Sequence, residues 1–231
     1  MIAPGPVLLA GATGLVGGRV LARLLAGAEG PHVVAPGRHR PAATHPRLTT
    51  VETAFEPARD DELAAAIATV APGVSAWICC LGTTQRAAGS REAFVAIDRG
   101  LVLRLAKIAL DLGATHAVLV SSVGASAQSG NFYLRVKGEA ERGIAALGFR
   151  RVDVLRPGLL LGERVESRPL ERLARTVAPL ANPLLRGRFA RYRAIDADDV
   201  AAAAVALLAQ DTAGVFVHEH ASLHGLAAIS R

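Results

Sequence analysis

The sequence contains little cysteine, few aromatic residues and no long uninterrupted apolar run. Its two cysteines, Cys79 and Cys80, are neighbours in the apolar segment WICCLG, so we interpret them as small buried residues of a strand. Although 51% of the residues are hydrophobic, no apolar run of about 18 residues is free of polar interruption, which excludes a transmembrane helix. The N-terminus has no basic region, which argues against a cleaved signal peptide. These absences predict a cytoplasmic protein.

Lysine is almost missing, since only two of the 26 basic residues are lysine and the others are arginine. A formal net charge of +6 could indicate binding to nucleic acid, but the arginines are spread along the whole chain. The densest cluster lies at residues 186–193. We interpret it as a solvated face or as a rim for an anionic substrate or cofactor, and we expect no nucleic-acid partner.

Apolar runs of strand length alternate with segments of helical periodicity along the chain. The predicted strands are 7–10, 33–35, 48–51, 74–80, 117–121, 152–155 and 215–218, and the predicted helices are 15–25, 60–70, 90–112, 131–147, 169–185 and 198–208. This alternation is typical of an α/β protein with a doubly wound, mainly parallel sheet flanked by helices. A length of 231 residues suits one domain, in which residues 162–231 form a small extension on the substrate side.

A glycine motif follows the first predicted strand and opens the first predicted helix. It reads Gly11-Ala12-Thr13-Gly14-Leu15-Val16-Gly17. Glycine lets the backbone turn tightly and approach a pyrophosphate, and the helix N-terminus offers free N–H groups to the phosphates. The motif therefore predicts that residues 11–16 bind a dinucleotide.

The residues after the second predicted strand indicate which dinucleotide binds. In NAD-binding proteins of this fold, an acidic residue usually follows that strand and holds the ribose 2′-hydroxyl. This chain has no acidic residue there before Glu52, and Arg38 and Arg40 follow the strand instead. Because a planar guanidinium pairs well with a phosphate, we predict NADP(H) as the cofactor and Arg38 as the ligand of its 2′-phosphate.

Tyr133 and Lys137 form a Y-x-x-x-K motif on a predicted helix. Residues four positions apart share a helix face, so both side chains can point into one pocket. A nearby ammonium favours the phenolate, which lets a tyrosine exchange a proton with a substrate oxygen. Ser122, at the end of the fifth predicted strand, can orient a carbonyl and stabilise negative charge on its oxygen. We therefore expect Ser122, Tyr133 and Lys137 to be catalytic, and Tyr133 and Lys137 also to contact the cofactor.

Further cofactor contacts are expected from the other strand ends. Leu81, Gly82 and Thr83 follow the fourth predicted strand, Ser121 ends the fifth, and Pro157 follows the sixth. Ligands of α/β sheets bind in the crevice at the carboxyl ends of the strands. We predict that these residues line the cofactor site, with the alternative that Ser121 points back toward the sheet.

Several segments together resemble one known family. GATGLVGG, CLGTT, AIDRG, VSSVGAS, NFYLRVKGEAE and RPGLLLGERVESRP are similar to the Tat-interacting-protein-like branch of the atypical short-chain dehydrogenases/reductases. The resemblance implies a Rossmann core, NADPH binding and a Ser-Tyr-Lys site at Ser122, Tyr133 and Lys137, but no particular substrate. The chain departs from the wider family in having Asp98 where an asparagine is usual, and in a short interval between Ser122 and Tyr133.

Three functions fit these features. An NADP(H)-dependent oxidoreductase would move hydride to or from a small carbonyl or alcohol, with Tyr133 as the proton donor. A non-catalytic NADP(H) sensor or scaffold would use the same pocket, and a sugar-nucleotide epimerase or dehydratase would need a larger substrate domain. We expect residues 162–193 to contact an anionic or amphipathic small-molecule substrate. The sequence is compatible with a homodimer.

The histidines near the C-terminus are the arrangement that comes nearest to a metal site. His218 and His220 are two residues apart and would share one face of the last predicted strand. A partly exposed strand and turn accounts for them as well, and we expect no metal.

Overall fold

The computed structural model describes residues 5–162 and 187–229. The strands are β1 (Val7–Ala10), β2 (Val33–Gly37), β3 (Leu48–Glu52), β4 (Ala76–Cys79), β5 (His116–Val120), β6 (Arg151–Leu155), β7 (Leu160–Leu161), β8 (Ile195–Asp196) and β9 (Gly214–His218). The helices are α1 (Leu15–Leu25), α2 (Asp60–Val70), α3 (Gln85–Ala88), α4 (Arg91–Val95), α5 (Val102–Asp111), α6 (Phe132–Ala146), α7 (Ala197–Leu207) and α8 (His220–Ile229). A π-helical segment, Ala96–Leu101, joins α4 to α5.

Seven strands form one parallel sheet in the order β3-β2-β1-β4-β5-β6-β9, and β7 pairs with β8 in parallel beside it. Consecutive side chains of β1 point to opposite faces of this sheet. Val7 and Leu9 join an apolar layer with α1 and α7, and Leu8 and Ala10 join a second layer with α2 and α5. Because helices cover both faces, the central strands are apolar on both sides, as parallel sheets require.

The strand order places the ligand crevice. From β1 the chain proceeds outward through β2 and β3, then crosses back to β4 on the other side of β1. Loops from β1 and β4 therefore diverge at the carboxyl edge of the sheet and leave a crevice between them, which is where α/β sheets bind ligands. The glycine motif and the residues after β4 lie at this edge.

The predicted alternation of strands and helices is confirmed, with bounds within two residues of those predicted for the described elements. The predicted helix 90–112 differs in its interior, because the π-helical segment Ala96–Leu101 replaces α-helical geometry there. Ser90 caps its first turn by accepting a hydrogen bond from the Ala93 N–H at 3.0 Å. The predicted helix 169–185 lies outside the described residues.

The C-terminal helix α8 was not predicted from the sequence. Its buried residues are His220, Leu223 and Ala227, so only one large apolar side chain marks its inner face. The expectation that His218 and His220 share a strand face is wrong, because β9 ends at His218 and His220 begins α8. The pair β7–β8 was also missed, since two-residue strands have no periodicity.

Candidate functional site

Two adjoining clefts lie at the carboxyl edge of the sheet. The larger cleft has a volume of about 750 Å³ and the smaller one about 80 Å³. The larger cleft contains most of the residues predicted from the sequence: Thr13, Gly14, Leu15, Val16, Leu81, Gly82, Thr83, Ser121, Ser122, Tyr133, Lys137 and Pro157. The smaller cleft contains the remaining ones, which are Gly11, Ala12 and Arg38. The fold therefore brings the whole predicted set to one place.

The glycine loop between β1 and α1 has the shape of a phosphate cradle. Gly11 has a φ of +83°, and a Cβ at this position would lie 2.8 Å from the carbonyl carbon of Cys80. A Cβ at Gly17 would lie 2.0 Å from the carbonyl oxygen of Gly11. Only glycine fits at either position, so the loop can pass close to β4 and direct the first N–H groups of α1 toward the cleft. These residues fit the pyrophosphate of a dinucleotide.

The two arginines after β2 have different surroundings. Arg38 lines the smaller cleft together with His39 and Pro41. The Arg40 guanidinium instead pairs with Glu52 on β3, and both side chains are largely exposed. Arg38 is therefore the arginine that faces the space next to the glycine loop.

Phe55 also lines the smaller cleft, and sequence reasoning did not find it. It has a φ of +59°, which is costly for a non-glycine residue. Two hydrogen bonds hold it there: its N–H donates to Thr53 Oγ1 at 3.0 Å, and Arg104 donates to its carbonyl oxygen at 2.7 Å. Arg104 is fixed in turn by Asp60. The sequence signal for this residue was an aromatic side chain in the loop after β3. A loop has no periodicity from which the position of that side chain could be predicted.

The Tyr133–Lys137 pair on α6 faces a matching pair on the neighbouring helical segment. Phe94 and Asp98 are also four residues apart, and they lie opposite Tyr133 and Lys137, respectively. The rings of Phe94 and Tyr133 have centroids 5.6 Å apart. Phe94 is fully buried, so the packing that holds the Tyr133 ring is itself fixed.

Asp98 is the closest partner of Lys137. Lys137 Nζ lies 2.8 Å from Asp98 Oδ1, and the two side chains are 7% and 0% exposed. The other carboxylate oxygen accepts the Thr83 N–H at 3.0 Å, which ties the loop after β4 to the same pair. Burial has the largest single effect and would lower the pKa of Lys137, but the charge and hydrogen bond of Asp98 together with the charge of Tyr133 outweigh it, and the pKa is raised. The ammonium is therefore the stable form of Lys137 in the site.

The two serines after β5 face different surroundings. Ser121 is buried and donates a hydrogen bond to Glu141 of α6, so its hydroxyl is engaged with the protein although the residue borders the larger cleft. Glu141 also pairs with Arg156, which follows β6, at 2.5 Å. Ser122 lies on the wall of the larger cleft with Tyr133. Sequence reasoning did not predict the Glu141 network, because it depends on packing between elements far apart in the chain.

The described part of the chain holds neither a metal-binding cluster nor a membrane-spanning helix. Within 5–162 and 187–229, no three histidine, cysteine, aspartate or glutamate side chains come together as a metal site would require. No helix in this part of the chain is long and apolar enough to cross a membrane.

Residues 11–211 match the family described as NAD(P)H-binding. The chain is 39% identical to "Protein fmp52, mitochondrial" of Aspergillus fumigatus over 199 residues, which cover 86% of this chain and 85% of the relative. It is 41% identical to "Protein FMP52-1, mitochondrial" of Scheffersomyces stipitis over 160 residues, 69% of each chain. Both relatives are named mitochondrial, which contradicts the cytoplasmic location expected from the sequence.

Solved structures share the fold at low identity. A 3-oxoacyl-[acyl-carrier protein] reductase from Brucella melitensis has a TM-score of 0.70 at 16% identity and covers 97% of both chains. MoeE5 in complex with UDP-glucose and NAD has a TM-score of 0.68 at 17% identity, covering 98% of this chain and 81% of MoeE5. At these identities the likeness establishes the Rossmann-like architecture alone.

Proposed function

Because the chain belongs to the NAD(P)H-binding family, in its Fmp52-type branch of atypical short-chain dehydrogenases/reductases, we propose that it is an NADP(H)-dependent oxidoreductase. Its proposed reaction interconverts a small carbonyl compound and the corresponding alcohol. The observation that carries this proposal is the larger cleft, in which the glycine loop and the side chains of Ser122, Tyr133 and Lys137 share one cavity. Residues 162–231 are proposed to complete its substrate side.

Each polar residue of the cleft has a role in this proposal. A bound nicotinamide dinucleotide supplies the hydride in reduction and accepts it in oxidation. Tyr133 donates its phenol proton to the carbonyl oxygen, and takes a proton from the alcohol in the reverse direction. The Ser122 hydroxyl donates a hydrogen bond to the same oxygen. Lys137, kept as an ammonium by Asp98, stabilises the phenolate form of Tyr133 and donates to a ribose hydroxyl of the cofactor.

The proposed preference for NADP(H) rests on charge at the end of β2. Arg38 supplies a guanidinium beside the glycine loop, and the described residues of the smaller cleft include no carboxylate. A ribose 2′-hydroxyl would lack the acidic acceptor that NAD-binding sites provide, whereas a 2′-phosphate would gain a charge-assisted partner. Phe55 and Pro41 supply apolar surface for the adenine.

Turnover with a panel of carbonyl compounds tests the proposed reaction. We expect NADPH oxidation by the wild-type chain, and a loss of about 100-fold or more in kcat for Tyr133→Phe, because general acid catalysis contributes about this much. NADPH affinity should stay unchanged in the variant. The control is Thr69→Val, which removes an exposed hydroxyl on α2, away from both clefts. NADPH binding by the wild-type chain without reduction of any compound would favour a cofactor sensor. Turnover by Tyr133→Phe equal to that of the wild-type chain would refute the role of Tyr133 as the proton donor.

A further inference from the structure

The larger cleft contains two cationic side chains with different electrostatic surroundings. Lys137 is neutralised by Asp98 at 2.8 Å. The second cation, Arg19 on α1, donates a hydrogen bond to the carbonyl oxygen of Leu15 at 3.0 Å, and no carboxylate among the described residues pairs with it. None of the described residues that line the cleft is acidic. Within residues 5–162 and 187–229, the cleft therefore carries one positive charge without a compensating carboxylate.

Arg19 lies at the side of the cleft formed by β7. One of its guanidinium nitrogens, Nη2, is 3.3 Å from the position that a Cβ would take at Gly162, directly after β7. Arg19 borders the larger cleft and is not among the residues of the smaller cleft, where Arg38 lies. The pyrophosphate has its own donors in the N–H groups at the start of α1. The position of Arg19 thus corresponds to the substrate side rather than the adenine side.

Arg23, one turn further along the same helix, offers a comparison, because its guanidinium has a carboxylate partner within the protein. Arg23 is four residues further along α1 and pairs with Asp198 at 2.5 Å. Arg19 is half-buried as well, but its guanidinium lies beside Gly162, next to the apolar side chain of Leu15. A half-buried charge is stabilised by a partner, and the described residues supply no carboxylate for Arg19, so its guanidinium is placed to bind the anionic group of a ligand.

We propose that Arg19 binds a carboxylate of the substrate, so that the substrates are carbonyl compounds with an apolar body and an anionic end. This inference rests on the oxidoreductase function proposed above, which it makes more specific. Leu159 and Leu160, which line the same cleft, supply the wall for the apolar body. A planar guanidinium can hold a carboxylate through two parallel hydrogen bonds, which would orient the carbonyl toward Tyr133.

Binding of two matched aldehydes to the chain saturated with NADP+ tests this proposal. Neither aldehyde can be reduced in that complex, so calorimetric titration measures affinity alone. We expect 4-carboxybenzaldehyde to bind at least about tenfold more tightly than benzaldehyde, as one charge-assisted pair would give. Arg19→Gln should abolish this preference and Arg19→Lys should keep part of it. Arg23→Gln, the matched control, should leave it intact.

Three results would overturn the assignment of Arg19. The first is equal affinity of the wild-type chain for both aldehydes. The second is an equal loss of the preference for the carboxylated aldehyde in Arg19→Gln and Arg23→Gln. The third is weaker NADPH binding in Arg19→Gln with the preference for the carboxylate retained. The third result would assign the guanidinium to the pyrophosphate. Failure of the oxidoreductase function is seen separately, as absence of NADPH oxidation with either aldehyde, since the titration in NADP+ does not depend on turnover.

Discussion

At the scale of single residues, the charge of Lys137 is set by Asp98, which lies in another helical segment. Asp98 belongs to the π-helical segment Ala96–Leu101, and such segments are frequent at functional sites. A Cβ at Gly82 would lie 3.3 Å from Lys137 Nζ, so the loop after β4 also packs closely on this pair. One buried ion pair thus holds α6, the π-helical segment and the loop after β4 together.

Asp98→Asn removes the charge partner of Lys137 while keeping the shape of the side chain. We expect a loss of about 3 kcal/mol or more in the free energy of unfolding at pH 7, because an unpaired charge is left buried. The pKa of Lys137 is raised above its ordinary value of 10.5 in the folded chain. The stabilisation that the Asp98–Lys137 pair gives the folded chain is therefore fully present below pH 10.5, and it is lost as the pH rises through the raised pKa of Lys137. Urea unfolding at pH 7 and above pH 10.5 measures both effects.

Glu139→Gln is the control for that substitution. Arg99 and Glu139 form an ion pair at 2.6 Å between the same two segments, but the pair is partly exposed. Its loss should cost less than about 1 kcal/mol. Equal losses for the two variants would contradict the special role of the buried pair.

At the scale of elements, the position of α6 depends on a glycine that lies against the loop before it. A Cβ at Gly138 would lie 2.2 Å from the carbonyl carbon of Ser126, which is backbone and cannot rotate away. A Cβ at Gly143, on the same helix, would meet only the end of the Leu103 side chain, at 2.6 Å. The two glycines provide a matched pair for testing how α6 is placed.

Gly138→Ala should destabilise the fold by about 3 kcal/mol, at the upper end of overpacking effects, and weaken NADPH binding because Lys137 shifts with the helix. Gly143→Ala should change stability by less than about 1 kcal/mol, since the gain in helix propensity offsets the displacement of Leu103. Thermal unfolding and NADPH titration of both variants check this. Equal changes in stability and in NADPH affinity for the two variants would show that the loop at Ser126 moves aside without a cost in free energy.

The sequence predicts elements well where apolar periodicity is strong, and poorly where packing between elements decides. The helix α2 has the bounds predicted for it, 60–70, since its acidic first turn and apolar positions define it. The π-helical segment has no sequence signal, because Phe94 and Asp98 are ordinary i and i+4 positions until α6 packs on them. The helix α8 was missed for the same reason, since β9 and α7 complete its buried face.

At the scale of the molecule, one buried carboxylate links β5, β6 and β9, the three strands at the end of the sheet farthest from β3. Asp153 on β6 accepts hydrogen bonds from His116 on β5 at 2.7 Å, from His218 on β9 at 2.7 Å and from Arg151 at 2.6 Å. Burial alone would raise the pKa of Asp153, but these donors outweigh it and hold the pKa well below its ordinary value of 3.8. Three neighbouring strands therefore share one charge.

Asp153→Asn should destabilise the protein by about 3 kcal/mol or more at pH 7, because Arg151 loses its buried partner. Since the folded-state pKa is lowered, the stabilisation is present above 3.8 and is lost as the pH falls through the lowered value. The difference in the free energy of unfolding between the wild-type chain and Asp153→Asn should therefore decrease below about pH 4. Urea unfolding of both chains at pH 7 and in this acidic range measures it, and a difference that does not change with pH would contradict the assignment.

The placement of the candidate site was predictable because parallel strands carry their carboxyl ends to one edge. Ser122, Tyr133 and Lys137 come together for this reason, although they belong to two elements. The roles of Phe55 and Asp98 were not predictable, since a strained backbone and a buried ion pair arise only in the assembled fold. The compartment was predicted wrongly, because composition and cysteine content do not distinguish a mitochondrial protein from a cytoplasmic one.

Fluorescence titration of the wild-type chain with NADPH and NADH tests the central claim most directly, and the variants Arg38→Ala and Arg40→Ala sharpen it. We expect NADPH to bind at least about tenfold more tightly than NADH, as one charge-assisted phosphate contact would give. Arg38→Ala should remove this preference, whereas Arg40→Ala, whose guanidinium pairs with Glu52, should retain it. If neither dinucleotide binds the wild-type chain, the assignment of both clefts to a cofactor is wrong.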